Sequence, residues 1–456
     1  MANFPKITFF GGAETVTGSK TRLEYQGTQV LIDCGLFQGK KPLRLKNWES
    51  FRFQPDSINA VILTHAHLDH SGAIPILIKN GFTGPIYCTD PTYDLAKIIL
   101  LDSAKIQEED AERANRIGYT KHSPAKPLYT IKEAQKALGY FVKVKYEEVI
   151  KLNGDLSFSF HNAGHIVGSA WVSINVGGKK VVFSGDIGRT QPLILNPYKR
   201  PQIADYLILE STYGNRLHPA AAAKESLADA INHTFNKGGS IIIPTFAVER
   251  AQEVLYLLNE LLLEKQIPHL PIYLDSPMGI DATEVMLNYP DWHKLSEHAC
   301  KHLCDNITLV DTVEHSKSVV RDSRQKIVLA GSGMVTGGRV LHHLNQGIDD
   351  SKNTILLVGF QAEGTRGKDL LDGIDEIKFF GGYHKVRAEV MVVNSLSAHA
   401  DQSELLDWLS ELNVMPKTLF LNHGEQIALE ALKQKIEDAF GMQAEIAQLD
   451  MSYLLK

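Results

Sequence analysis

The chain has 456 residues, 44% of them hydrophobic and 22% charged. That balance excludes a disordered chain, a collagen-like repeat and a long coiled coil, and at roughly 100–200 residues per domain it leaves room for roughly two to four cores. The 47 Lys and Arg against 53 Asp and Glu give a net charge of −6. This disfavours a globally basic nucleic-acid binder but leaves room for a local basic cleft, because the field at a site follows the charges near it. Four cysteines are too few for a disulfide scaffold. No run approaches the ~18 apolar residues of a membrane span, and the opening Met1-Ala2-Asn3-Phe4-Pro5-Lys6 lacks the basic-then-apolar pattern of a signal peptide. The expectation is a cytoplasmic protein with reduced thiols and no membrane partner.

Strands ending in turns dominate the first half. Lys6-Ile7-Thr8-Phe9-Phe10 runs into Gly11-Gly12, and Gln29-Val30-Leu31-Ile32-Asp33 ends in an acid. Ala60-Val61-Ile62-Leu63-Thr64 is nearly all apolar and β-branched, which predicts a buried strand. It stops at His65-Ala66-His67-Leu68-Asp69-His70, and Ser71 is a fair N-cap for a helix after it. Thr92 to about Leu138 favours helix. Strands resume at Leu156-Phe160, Ala170-Val176, Lys180-Phe183 (leading to Asp186) and Tyr206-Leu209 (leading to Glu210). After Gly214, helices and strands alternate, with strands at Ser240-Pro244, Ile272-Leu274, Ile327-Leu329 and Ile355-Val358. This alternation predicts a second α/β unit with a mostly parallel sheet. From Ala388 the earlier style returns, with Val390-Val393 running to His399 and Lys417-Leu421 running to His423.

His65, His67, Asp69 and His70 lie within six residues at the end of a buried strand. Imidazole nitrogen and carboxylate oxygen suit zinc in a hydrolytic site. His65 and His67 leave the same face of an extended backbone. Asp69 and His70 lie where the chain turns into a helix and can address a second position. One loop can thus begin two adjacent metal sites.

The run His65-x-His67-x-Asp69-His70 resembles the signature of the metallo-β-lactamase superfamily. Asp33 resembles the acid that orients the histidine cluster, His165 in Ala163-Gly164-His165 the third histidine ligand, and Asp186 in Ser184-Gly185-Asp186 the carboxylate that bridges two metals. The interruption between Gly214 and Ala388, with Leu209-Glu210-Ser211-Thr212-Tyr213-Gly214, Ser397-Ala398-His399-Ala400-Asp401 and Leu421-Asn422-His423-Gly424-Glu425, resembles the β-CASP branch, whose members cleave nucleic acids, mostly RNA. The strongest likeness is to short prokaryotic RNA-processing nucleases related to the endonuclease of pre-mRNA 3′-end cleavage.

The resemblance implies a four-layer αββα lactamase fold in two parts, residues 1–213 and 389–456, with a β-CASP domain over 214–388. It implies two Zn2+. One takes His65, His67 and His165; the other takes Asp69, His70 and His423; Asp186 spans both. His399 then protonates the leaving oxygen and Glu210 orients it, since a carboxylate beside an imidazole favours the acid form near neutrality. The implied activity is hydrolysis of single-stranded RNA, held in a cleft between the domains, by hydroxide activated between the two metals. Arg250, Ser332, Gln361, Thr365 and Arg366 of the inserted domain are the expected substrate contacts, with Arg339 a further candidate. Two other readings stand beside it: a lactamase-fold hydrolase of a small ester, lactone or lactam, and a non-catalytic nucleic-acid scaffold. A homodimer is left open.

Overall fold

The computed structural model describes residues 4–118, 122–219, 222–393 and 395–456. They divide into two compact units: Met1–Pro192 with Asn196–Leu217 and His399–Lys456, and Leu193–Leu195 with His218–Ala398.

Two seven-stranded sheets form the first unit. One runs Ser452–Leu454, Lys6–Gly11, Lys20–Tyr25, Thr28–Ile32, Ala60–Ile62, Ile86–Cys88, Phe141–Lys143 in spatial order. The other runs Glu445–Ile446, Thr418–Asn422, Tyr206–Glu210, Lys179–Phe183, Ala170–Val176, Leu156–Asn162, Ile150–Asn153. Successive side chains of a strand point to opposite faces, so each strand serves two layers. Val30, Ile32, Val181, Phe183, Ile208 and Phe420 meet Phe158 and Phe160 in one core. Their neighbours Val182, Leu207, Leu209, Leu419 and Leu421 pack with Leu405, Trp408 and Leu409 of the helix Gln402–Ser410 and with Leu429, Leu432 and Ile436 of Gln426–Phe440. Helices Ile74–Lys79, Asp90–Ile117 and Ile131–Leu138 bury Leu77, Leu95, Ile99, Leu100 and Ala134. The arrangement is the four-layer αββα sandwich. Burying a side chain such as Phe160 fully contributes roughly 1.5–3 kcal/mol, and a run of them holds the strand ends in place.

Parallel pairing sets where those ends lie. Val30 stands opposite Ala60 and Ile32 opposite Ile62. Lys179–Phe183, Tyr206–Glu210 and Thr418–Asn422 are likewise parallel neighbours, with Phe183 opposite Ile208 and Glu210 opposite Asn422. The chain therefore leaves these strands at their carboxyl ends beside one another, and Asp33, His65, Asp186, Glu210 and His423 all sit there. In open α/β sheets ligands are bound at such ends. The strand Ser452–Leu454 closes the other side, pairing antiparallel with Lys6–Gly11. The rings of Phe9, Phe420 and Tyr453 lie 4.9–5.8 Å apart over this seam.

Two local differences from the sequence reading bear on the site. The helix expected from Ser71 comes in two short pieces, Leu68–Ser71, which opens after His67, and Ile74–Lys79. Ser71 donates instead to the carbonyls of Ala66 and His67, so Asp69 and His70 already stand on a helical turn. The helical stretch from Thr92 resolves into Asp90–Ile117, capped by the Thr89 hydroxyl and ended by left-handed Gly118, and Ile131–Leu138, opened by a Thr130–Glu133 capping box.

The second unit holds a six-stranded sheet in the order Thr308–Leu309, Ile272–Asp275, Ile327–Ala330, Ile241–Pro244, Thr354–Leu357, Glu389–Val392, with every neighbour parallel. An antiparallel hairpin, Glu376–Phe379 with Gly382–Lys385, accompanies it. The strand Glu389–Val392, which the sequence reading put in the C-terminal lactamase part, is the edge of this sheet: Ile355 pairs with Val390 and Leu357 with Val392. Among the described residues no helix is long and apolar enough to cross a membrane.

Candidate metal centre

Short loops at the strand ends aim the polar residues inward. Gly185 adopts φ +54 between Phe183 and Asp186, a left-handed conformation that favours glycine. Gly35 lets the segment after Asp33 lie against the helical turn of Asp69, since a Cβ there would sit 1.6 Å from the Asp69 carbonyl oxygen. That contact is locked by Cys34 N–H donating to His70 O (2.7 Å) and Leu36 N–H to Leu68 O (2.8 Å).

Two sets of donor atoms result. One ligand atom from each of His65, His67, His165 and Asp186 lies within 4.8 Å of every other, and the same holds for Asp69, His70 and His423. In the first set, His65 Nε2 and His165 Nε2 each lie 3.2 Å from His67 Nδ1. In the second, His70 Nε2 lies 3.1 Å from His423 Nε2, and Asp69 Oδ2 lies 3.5 Å from the same nitrogen. Asp186 reaches both: Oδ2 is 3.5 Å from His65 Nε2 and 3.7 Å from His165 Nε2, while Oδ1 is 3.3 Å from His70 Nε2 and 3.5 Å from His423 Nδ1. The structure thus brings together all seven residues singled out as metal ligands.

Asp33 stands behind this cluster. It accepts from the Thr64 N–H (2.8 Å) and hydroxyl (2.9 Å), and its Oδ2 lies 2.7 Å from His70 Nδ1. This fixes the His70 ring with Nε2 toward the second set. Outer carboxylate partners of this kind set ring orientation and basicity, and losing one costs roughly 10–100-fold in metal affinity. Asp33→Asn is therefore expected to weaken zinc binding by about that factor without unfolding the protein, as read by competition with a chromophoric chelator; unchanged affinity would remove Asp33 from this role.

His399 faces the same space. Its Nδ1 is 3.2 Å from Glu210 Oε1 and 4.0 Å from Asp186 Oδ2, and its ring lies 4.4 Å from that of His165. Glu210 is buried and held by the N–H groups of Ile187 (2.8 Å) and Thr212 (3.1 Å). Burial disfavours the His399 cation, but the Glu210 charge and hydrogen bond outweigh it and raise its pKa above the usual imidazole value. His67, Asp69 and His399 are only half-buried, whereas His65, His70, His165, Asp186 and His423 are buried.

The donor chemistry fits divalent cations. Burial pushes His67 down to about 4 and His65 well below the ordinary value, so both present neutral rings. Burial would raise Asp69, yet the hydrogen bond and charge from the neighbouring histidines hold it at about 2. Burial likewise opposes the ionised Asp186, and the neighbouring His423 and His70, with the hydrogen bond from His70, more than offset it. Asp186 Oδ1 is buried without a hydrogen-bond donor. An ionised carboxylate amid converging imidazole lone pairs is the environment that His/Asp metal sites supply.

Several supporting residues carried no signal in the sequence reading. The Thr64 hydroxyl lies 3.1 Å from His65 Nδ1, and the Thr212 hydroxyl lies 3.3 Å from His423 Nδ1. Gly12 O takes the His423 N–H at 2.6 Å. The Gly11-Gly12 doublet was the one visible hint of the last contact.

The five expected substrate contacts lie in the loops and helix starts that follow strands of the second unit. Arg250 is a buried side chain at the first turn of Arg250–Leu263 and pairs with Glu253. Ser332 accepts from the Thr336 and Gly337 N–H groups, and Gln361 donates to Gly333 O and Gly359 O. Thr365 caps Arg366–Leu371, and Arg366 donates to Lys378 O and Thr336 O. Arg339 binds Asp275 and the carbonyls of Val310 and Asp311, an internal cation rather than an open phosphate contact.

Comparison with known proteins agrees with this architecture. Residues 22–203 match the metallo-β-lactamase superfamily domain, 251–370 the β-CASP domain, and 383–447 the Zn-dependent metallo-hydrolase RNA specificity domain. The chain is similar to a ribonuclease of Thermus thermophilus, 38% identical over 94% of this chain and 95% of the relative. It is also similar to a transcription termination factor of Methanosarcina mazei, 32% identical over 94% of this chain and 68% of that protein. A crystal structure of a protein of unknown function from Enterococcus faecalis shares the fold, with a TM-score of 0.52 at 13% identity over 99% of this chain and 100% of that one. The chain belongs to the metallo-β-lactamase superfamily, in the branch whose lactamase domain carries an inserted β-CASP domain.

Proposed function

We propose that this protein is a metal-dependent ribonuclease that hydrolyses phosphodiester bonds of single-stranded RNA, with two zinc ions held by the residues at the strand ends. The observation that carries the reading is Asp186, one oxygen toward His65 and His165 and the other toward His70 and His423, beside the Glu210–His399 pair. The first ion takes His65, His67 and His165; the second takes Asp69, His70 and His423; Asp186 joins them. Ribonuclease activity in a relative 38% identical along nearly the whole chain supports the choice of substrate.

Bound by these residues, two divalent ions would supply a deprotonated water near neutral pH and positive charge against the phosphate oxygens. The chain's own residues do the rest. Asp33 keeps His70 turned toward the centre. Glu210 holds His399 Nδ1 and favours its protonated form, so that Nε2 hands a proton to the oxygen that leaves phosphorus. Water's oxygen forms the new bond to phosphorus and the P–O3′ bond breaks, giving a 5′-phosphate and a 3′-hydroxyl.

The test is incubation of end-labelled single-stranded RNA with zinc-loaded protein. Expected is cleavage that a chelator stops and zinc restores, with 5′-phosphate on the downstream product. Inert RNA together with ready turnover of a chromogenic lactam or ester would transfer the protein to the small-molecule hydrolases. Inert RNA that still binds, in protein taking up far less than two equivalents of zinc, would make it a scaffold.

A further inference from the structure

We infer that the segment Lys40–Trp48 is a second contact surface for the substrate, a basic and aromatic rail that takes phosphates and a base of single-stranded RNA alongside the metal centre. This rests on the ribonuclease reading above.

Charge is the first ground. In a chain of net charge −6, the stretch from Cys34 to Trp48 contains Lys40, Lys41, Arg44 and Lys46 and no acid. Lys40, Lys41 and Arg44 are exposed, and no ion pair is recorded among the described residues for Lys41, Arg44 or Lys46. Some other surface cations of this unit do have carboxylate partners, as Lys79 has Glu133, Lys199 has Glu147 and Arg200 has Asp407 and Glu411. Cations left open in this way suit a polyanion.

Exposure is the second. The short helix Lys41–Leu45 buries none of its residues. Leu45 is 51% exposed and Trp48 59%. A helix that faces solvent all round does not serve the core. Trp48 presents a ring on which a base can stack, a contact indifferent to sequence.

Position is the third. The segment is tied to the metal loop by hydrogen bonds. Leu36 N–H donates to Leu68 O beside Asp69. Phe37, the next residue, exchanges two 2.8 Å bonds with the Asn47 side chain. Lys46 lies over the Phe37 ring at 5.5 Å. Gln38 N–H and Leu36 O share the Thr17 hydroxyl at 2.8 and 3.0 Å. Lys41 is five residues beyond Leu36, so its Cα lies within about 18 Å of it. The basic stretch is thus anchored close in the chain to the residue hydrogen-bonded to the metal loop, and the rail takes the phosphates that flank the scissile one.

The experiment measures binding of a fluorescent phosphorothioate single-stranded RNA to zinc-loaded protein across a salt series, for wild type, Lys41→Ala/Arg44→Ala and Trp48→Ala. Removing both cations is expected to shallow the slope of log affinity against log salt by about 1.4, at about 0.7 per phosphate contact on a single strand. Trp48→Ala is expected to weaken binding roughly tenfold with little change in slope. Zinc content is measured on each variant. Unchanged affinity and slope in variants whose wild-type parent binds and cleaves RNA would overturn the rail alone and leave the exposed Leu45 and Trp48 as a protein contact. Loss of zinc in the variants would also overturn it, by placing the effect in the metal loop. A wild type that neither binds nor cleaves RNA removes the ribonuclease reading itself.

Discussion

Asp186→Ala is expected to abolish RNA cleavage and to lower the bound zinc below two equivalents. This carboxylate is the only group among the seven candidate ligands with an oxygen toward each donor set. Without it, His65, His67, His165, His70 and His423 crowd nitrogens at 3.1–3.2 Å around a site with less negative charge. With Asp69 the one carboxylate left among the seven, two neighbouring cations would be less well screened from each other, so both affinities should fall by more than the roughly 10–100-fold of an outer partner. Asp186→Asn separates charge from shape: it keeps the volume, and it should be nearly as inactive. Full zinc content and near-normal turnover in Asp186→Asn would sink the shared-carboxylate assignment. His67→Ala should lose cleavage as well, with metal loss concentrated in the first set.

His399→Ala is the second large effect, with the opposite signature in metal. A positioned acid contributes roughly 100- to 10,000-fold to rate, so kcat should fall by about that much while zinc stays bound. The ring is held by Glu210, 3.2 Å from Nδ1, rather than by belonging to either donor set. Glu210→Gln, which keeps the shape but not the charge, should reproduce part of the loss and steepen the dependence of rate on leaving-group basicity, since less of the charge on the departing oxygen is neutralised by a proton. A His399→Ala protein that lost zinc would instead make His399 a ligand.

Much of the centre was legible because its residues come in contiguous or strand-terminal groups. The strand Ala60–Ile62 announces itself by unbroken β-branched burial, and His65, His67, Asp69 and His70 follow it at once. His165, Asp186 and His423 needed the order of motifs along the chain, since each alone reads as a turn residue. Strands such as Lys20–Tyr25, Ile86–Cys88 and Phe141–Lys143 were not read, because charged edges or three-residue length give no periodic signal. The hydroxyls of Thr64 and Thr212 escaped notice because a neutral threonine beside a ligand looks like any strand-end residue. Arginines misled in another way. Arg339 looks like an open cation until its partner Asp275, 64 residues earlier, is seen beside it. Conversely, the basic stretch Lys41–Lys46 gains its meaning only from the hydrogen bonds that join Leu36 to Leu68 and Phe37 to Asn47 on either side of it.

The second donor set joins parts of the chain made far apart in time. His70 and His423 are separated by 353 residues, a gap of roughly 18–70 s at synthesis speeds of about 5–20 residues per second. The opening strand Lys6–Gly11 waits still longer for its neighbour Ser452–Leu454. Until His423 has been made and folded back, a growing chain therefore carries His70 and Asp69 without the third member of their set.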